Sequence, residues 1–140
     1  MSVWRVAPES VPQSWWSESV TPCYYCGLPA DSTDHVIPRA VIEQIETLGD
    51  PDVLAEMYTR HRVRTVDACR ECNSMLQSRY FSTLAERKAW MKDRLRTRYR
   101  RYLELPEWAD TELMELSERL QMRVIASLEI KRIIQRRLAA

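Results

Sequence analysis

Four cysteines fall into two C-x-x-C pairs, Cys23 with Cys26 and Cys69 with Cys72, and none is left over. Each pair presents two thiolates from one tight turn, and two such turns supply the four soft ligands of a tetrahedral metal, for which zinc is the expected ion. A site closed by four sulfurs has no open position, so this zinc is expected to be structural and to contribute on the order of 10 kcal/mol to folding. Gly27 follows the first pair and Asn73 the second; both residue types tolerate the positive φ that the chain often needs when leaving such a turn. A redox-active C-x-x-C would need only one pair, set in a βαβ context.

Between the pairs stands Thr33-Asp34-His35-Val36-Ile37-Pro38, and Asn73 comes directly after the second. In these motifs the chain resembles the HNH endonuclease family, whose pattern is C-x-x-C, an Asp-His-x-x-Pro segment, then a strand entering C-x-x-C-Asn. The resemblance covers about Cys23 to Tyr80 and leaves both ends of the chain uncovered. It implies a ββα-metal fold, with Asp34 and His35 near the end of the first strand and Asn73 at the entry to the helix.

Hydrolysing a phosphodiester needs an activated water, neutralisation of charge on phosphorus, and help for the departing 3′ oxygen. An imidazole suits the first task, which assigns His35 as general base. Hard oxygen donors suit magnesium or manganese, so the Asp34 carboxylate and the Asn73 amide oxygen are the expected ligands of one catalytic cation. Neighbouring side chains on a strand point to opposite faces, and a local twist or bulge would let Asp34 bind metal while His35 reaches the water. The resemblance implies products with 5′ phosphate and 3′ hydroxyl ends.

Two positions depart from the family pattern. The place of its middle Asn, nine residues before the metal-binding Asn, is Arg64, and the basic residue that commonly follows three after the final Asn is replaced by Leu76. Arg62, Arg64, Arg70 and Arg79 are the nearby cations able to hold phosphate oxygens. His61 is expected to face DNA or solvent and not to act as a second base.

The elements that must position these groups follow from pattern. Residues 1–20, with Trp4, Trp15 and Trp16 among prolines and serines, read as an irregular arm whose indoles serve as anchors. Residues 21–80 form the expected HNH module, its strands over Ser32 to Ile37 and Val63 to Ala68, with a helical insertion at 39–61. That insertion holds one helix from Ala40 to Leu48, closed by Gly49, and a second started by Asp50-Pro51. Residues 81–140 form a C-terminal helical region. Its first helix starts at the capping box Thr83-Leu84-Ala85-Glu86 and carries an apolar stripe of Leu84, Met91, Leu95, Tyr99 and Tyr102. Asp110 is the expected cap of a last helix with apolar residues on more than one side, among them Leu113, Leu120, Met122, Val124 and Ile134, so that it packs centrally or joins a second chain. The fold class expected is α+β and mostly helical: a small ββα-metal core stapled by the zinc site, with an N-terminal arm and C-terminal helices.

Apolar residues make up 45% of 140 positions, enough for one modest core. The net charge of +1 conceals an asymmetry: residues 80–105 carry 8 Lys and Arg against 3 Asp and Glu, while residues 1–79 carry 7 against 11. The basic stretch holds Arg87, Lys88, Lys92, Arg94, Arg96 and Arg98, continued by Arg100 and Arg101, a cation density that suits DNA phosphates without reading sequence. No eighteen-residue apolar run and no basic-then-apolar leader occurs, which argues against membrane insertion and export and for reduced thiols in a bacterial or phage-infected cytoplasm. The expected function is nicking or cleavage of DNA, in the manner of small phage or mobile-element HNH proteins, with assembly as a homodimer or with a larger nuclease or packaging machine through the last helix. The alternative is a non-catalytic zinc-dependent DNA-binding adaptor, and RNA is the third candidate substrate.

Overall fold

The computed structural model describes residues 21–140, so the arm at 1–20 lies outside the described residues. Two short strands, β1 (Ser32–His35) and β2 (Thr65–Ala68), pair antiparallel with Ser32 opposite Ala68 and His35 opposite Thr65. The register runs through all four pairs without a bulge. Both strands are shorter than expected, because Val36 and Ile37 turn inward toward Pro38 and Val63 and Arg64 belong to the approach to β2.

The expected insertion is a pair of helices, α1 (Arg39–Leu48) and α2 (Pro51–Arg60). Gly49 closes α1 at φ 71°, where a side chain would be strained, and Asp50 caps α2 by accepting hydrogen bonds from the amides of Asp52 and Val53. α3 (Arg70–Leu76) starts at the second cysteine pair, and α4 (Leu84–Arg98) is capped by the Thr83 hydroxyl, which accepts from the Glu86 amide. The short α5 (Arg100–Leu103) follows directly.

The last helical segment is divided, contrary to expectation. Asp110 opens a five-residue α6 (Asp110–Met114), and the long α7 (Glu118–Ala139) begins separately, with the Ser117 hydroxyl accepting from the Leu120 amide. The break lets α6 bury Leu113, 1% exposed, while α7 runs back across the molecule. No helix among the described residues is long and apolar enough to cross a membrane.

One apolar cluster joins the cysteine turns to the C-terminal helices: Cys23, Tyr25, Cys26, Ala68, Cys69, Cys72 and Leu76 pack with Met91 and Leu95 of α4, and Leu138 of α7 lies against them. Leucine and methionine at i and i+4 on α4 supply its buried face, as the stripe predicts. The architecture is α+β and mostly helical, with a core that crosses residue 80.

Candidate metal centre and the adjoining cleft

The first cysteine turn is held by the Gly27 amide donating to the Cys23 carbonyl and the Cys23 amide donating to the Leu28 carbonyl, with Gly27 at φ 78°. The second turn is built differently. Cys69 is the N-cap of α3, and the Asn73 amide donates to the Cys69 carbonyl within the helix. Asn73 is therefore helical, and the positive φ expected of it falls instead on Gln77, at φ 48°, where α3 ends.

The four thiols are buried and free of disulfides, and their sulfurs all lie within 4.8 Å of one another. Cys26 and Cys69 are 3.7 Å apart, close to the edge of about 3.8 Å that zinc–sulfur bonds of about 2.3 Å impose on a tetrahedron. The donor set fits a metal ion such as zinc. Hydrogen bonds among the thiols push Cys23 down and Cys69 and Cys72 up, and Cys26 falls to a pKa of about 7, so thiolates on the first pair form at the expense of the second unless a cation offsets their mutual repulsion.

Beside this cluster a cleft of about 220 Å³ is lined by Asp34, His35, Pro38, Arg39, Ala40, Asn73, Gln77 and Ser78. The three expected catalytic residues thus converge from β1 and α3. His35 is exposed on β1, while Asp34, its neighbour on the opposite face, is 2% exposed. Asn73 Nδ2 donates to the Ser32 hydroxyl and to the Thr33 carbonyl, tying α3 to β1 and leaving the amide oxygen as the side chain's acceptor. The Val36 amide donates to the Arg64 carbonyl at 2.9 Å, so backbone of Arg64 holds the chain just after His35.

Asp34 is also engaged from within. Arg87 Nε and Nη2 donate to its two carboxylate oxygens, each at 2.9 Å, and the Tyr25 hydroxyl donates to Oδ2. Burial, then the Asp34 hydrogen bond, pushes the Tyr25 pKa up, which keeps it a donor. A carboxylate has about four lone-pair sites. The three bonds, two to Oδ2 and one to Oδ1, leave one of these sites open on Oδ1.

Three expectations for the basic residues are corrected. Arg87, expected on DNA, is fully buried: besides Asp34 it donates to the Arg79 and His35 carbonyls, because i, i+4 spacing puts it on the same stripe as Met91. Lys92, also expected on DNA, is 9% exposed and donates at 2.7 Å to the carbonyls of Arg137 and Ala140, joining α4 to the end of α7. His61 is 4% exposed, faces neither DNA nor solvent, and pairs with the Tyr80 hydroxyl at 2.9 Å.

The other cations remain outside. Arg79 and Arg94 lie 4.8 and 5.7 Å from the ring centre of Trp90, Lys88 lies 4.8 Å from that of Tyr24, and Arg64 4.3 Å from that of Tyr58. Arg62 lines a small cleft next to His61. Arg70, Arg96 and Arg98 pair with Asp31, Asp93 and Glu71. The tryptophan expectations for Trp4, Trp15 and Trp16 lie outside the described residues.

Sequence reasoning missed Tyr25, Arg87 as a partner of Asp34, and Glu71 with Arg137. A cation on an apolar stripe was the available signal for both arginines: Arg87 follows Leu84 by three, and Arg137 follows Ile134 by three. No protein-family model, curated protein or solved structure matches the chain.

Proposed function

We propose that this protein is an HNH-type endonuclease that hydrolyses DNA phosphodiester bonds, with zinc on its four cysteines as a structural staple. The observation that carries the reading is the cleft in which Asp34, His35 and Asn73 meet, although Asn73 is separated from the other two by the whole helical insertion. His35, exposed at the cleft, takes the proton of the attacking water. The Asp34 carboxylate and Asn73 amide oxygen hold magnesium or manganese, which when bound supplies charge neutralisation at phosphorus and at the leaving 3′ oxygen. Arg87 fixes the Asp34 carboxylate and, through the His35 carbonyl, the backbone that carries the base. Arg39, exposed at the cleft, and Arg79, Lys88 and Arg94 give the DNA backbone its positive surface.

A second reading, a DNA-binding adaptor without activity, is favoured by one observation: the guanidinium of Arg87 already neutralises Asp34 where a second cation would otherwise do so. Assembly with a second copy or a larger phage machine is assigned to the start of α7, where Leu120 and Met122 are exposed, as is Met114 of α6, because the end of α7 is spent on the chain's own core. The compartment proposed is the cytoplasm, where thiols stay reduced.

The test is nicking of supercoiled plasmid with magnesium or manganese by the parent protein and by His35→Ala, with single- and double-stranded RNA in parallel. Metal-dependent nicking by the parent alone supports the enzyme. No nicking by the parent, or equal nicking by the variant, leaves the adaptor.

A further inference from the structure

Arg137 lies on α7, the most distant element in sequence from the first cysteine turn, yet its side chain ends at the cysteine cluster. It is 3% exposed, its Nη2 stands 4.0 Å from Cys72 Sγ and is paired with Glu71, and its Nε is buried with no partner among the described residues. Burying a guanidinium N–H without an acceptor is costly. Four thiolates around a divalent ion carry two surplus negative charges, and burying those is costly as well unless a cation or hydrogen-bond donors face them.

The two deficits are complementary. We infer that Arg137 is the outer-sphere cation of the metal centre, donating from its buried guanidinium to the coordinated cysteine sulfurs and thereby coupling metal binding to the docking of α7. The surroundings are built to hold it there. Glu71, within the second cysteine turn, takes one side of the guanidinium and is itself fixed by Arg98 and the Tyr99 hydroxyl. Lys92 fastens the backbone of the same helix end through the Arg137 and Ala140 carbonyls. Gly27 lets that end approach, since a Cβ there would stand 3.1 Å from the Ala140 methyl.

The inference rests on the four thiols being metal ligands, and not on the nuclease reading. Zinc affinity of the full chain is measured by competition with a chromophoric chelator for the parent, Arg137→Gln, Arg137→Lys and Glu71→Gln, and the thiolate-to-metal charge-transfer band is recorded for the cobalt(II) forms. Loss of an outer-sphere partner is expected to weaken zinc binding by about 10- to 100-fold in Arg137→Gln, with Arg137→Lys retaining part of the affinity and the cobalt band shifted in both. Glu71→Gln is expected to lose less affinity than Arg137→Gln, because its amide oxygen can still accept from the guanidinium, which stays at the sulfurs. Parent-like affinity and band position in Arg137→Gln, or an equal loss in Glu71→Gln, would overturn the inference while leaving the metal site intact. A parent that binds no zinc overturns both. If Arg137→Gln does not fold, the cobalt band of Arg137→Lys decides: an unshifted band overturns the assignment.

Discussion

Arg87 and Asp34 face each other as a two-bond pair, both contacts at 2.9 Å and both side chains at most 3% exposed. This pair joins α4 to β1 at the position from which the cleft opens. Breaking a buried pair by removing one partner leaves an uncompensated charge and costs about 3–5 kcal/mol. Arg87→Met is therefore expected to lower the unfolding free energy obtained from urea titration by about that amount, and Asp34→Asn combined with Arg87→Met to recover part of it. A single variant as stable as the parent would remove the pair from any account of the fold.

Chelation is expected to loosen more than the cysteine turns, because the cluster around the four cysteines also contains Met91 and Leu95. Far-ultraviolet circular dichroism should show loss of helix when zinc is stripped under reducing conditions, with recovery on adding zinc back. Unchanged helicity after complete stripping would show that apolar packing alone holds α4 in place.

Salt dependence tests which of the outer cations would meet the proposed DNA. Each phosphate contact contributes about 0.9 to the slope of log affinity against log salt. Lys88→Gln with Arg94→Gln is expected to flatten the slope for duplex DNA by up to about two such steps, whereas Arg96→Gln, whose parent side chain is paired with Asp93, should change it less. An unchanged slope in the double variant would place the DNA elsewhere.

Burial first, then the charges of Arg60 and Arg87, holds the His61 pKa below its ordinary value of 6.5. The folded state thus binds fewer protons there than the unfolded state, so the stability His61 contributes is present above about pH 6.5 and is lost as the pH falls through the window below it. His61→Gln is expected to be less destabilised than the parent on going from pH 7 to 5.5. Parallel pH profiles of the unfolding midpoint would refute this.

Gln77 ends α3 at φ 48°, a conformation that favours glycine. Strain of this kind costs about 1–3 kcal/mol, and Gln77→Gly should raise stability by about 1 kcal/mol by thermal or chemical unfolding. Because Gln77 lines the cleft, a stabilised variant with altered plasmid nicking would tie the strain to the site, and a destabilised one would show that its side chain does more than tolerate the turn.

The sequence by itself determined the local features, because each rests on residues close together in the chain. The paired cysteines, the Gly49 and Asp50 signals, the Thr83 cap and the Met91–Leu95 stripe each fix a turn or a helix face with no distant partner. Asp34, His35 and Asn73 are marked by the order of motifs and not by local pattern, and it is the fold that brings them to one cleft. What the tertiary structure decided is which charges are spent inside. Arg87 and Lys92 lie in a basic stretch that reads as surface, yet helical spacing turns them onto the inner face of α4, where Asp34 and the backbone of α7 satisfy them. Whether such a cation faces water or a buried acceptor depends on contacts across 45 to 53 residues, those of Lys92 with Arg137 and of Arg87 with Asp34, which no local period encodes. The division of the last helix at Ser117 and the arrival of Arg137 at the cysteine cluster are of the same kind, set by what α7 meets when it packs back on the core.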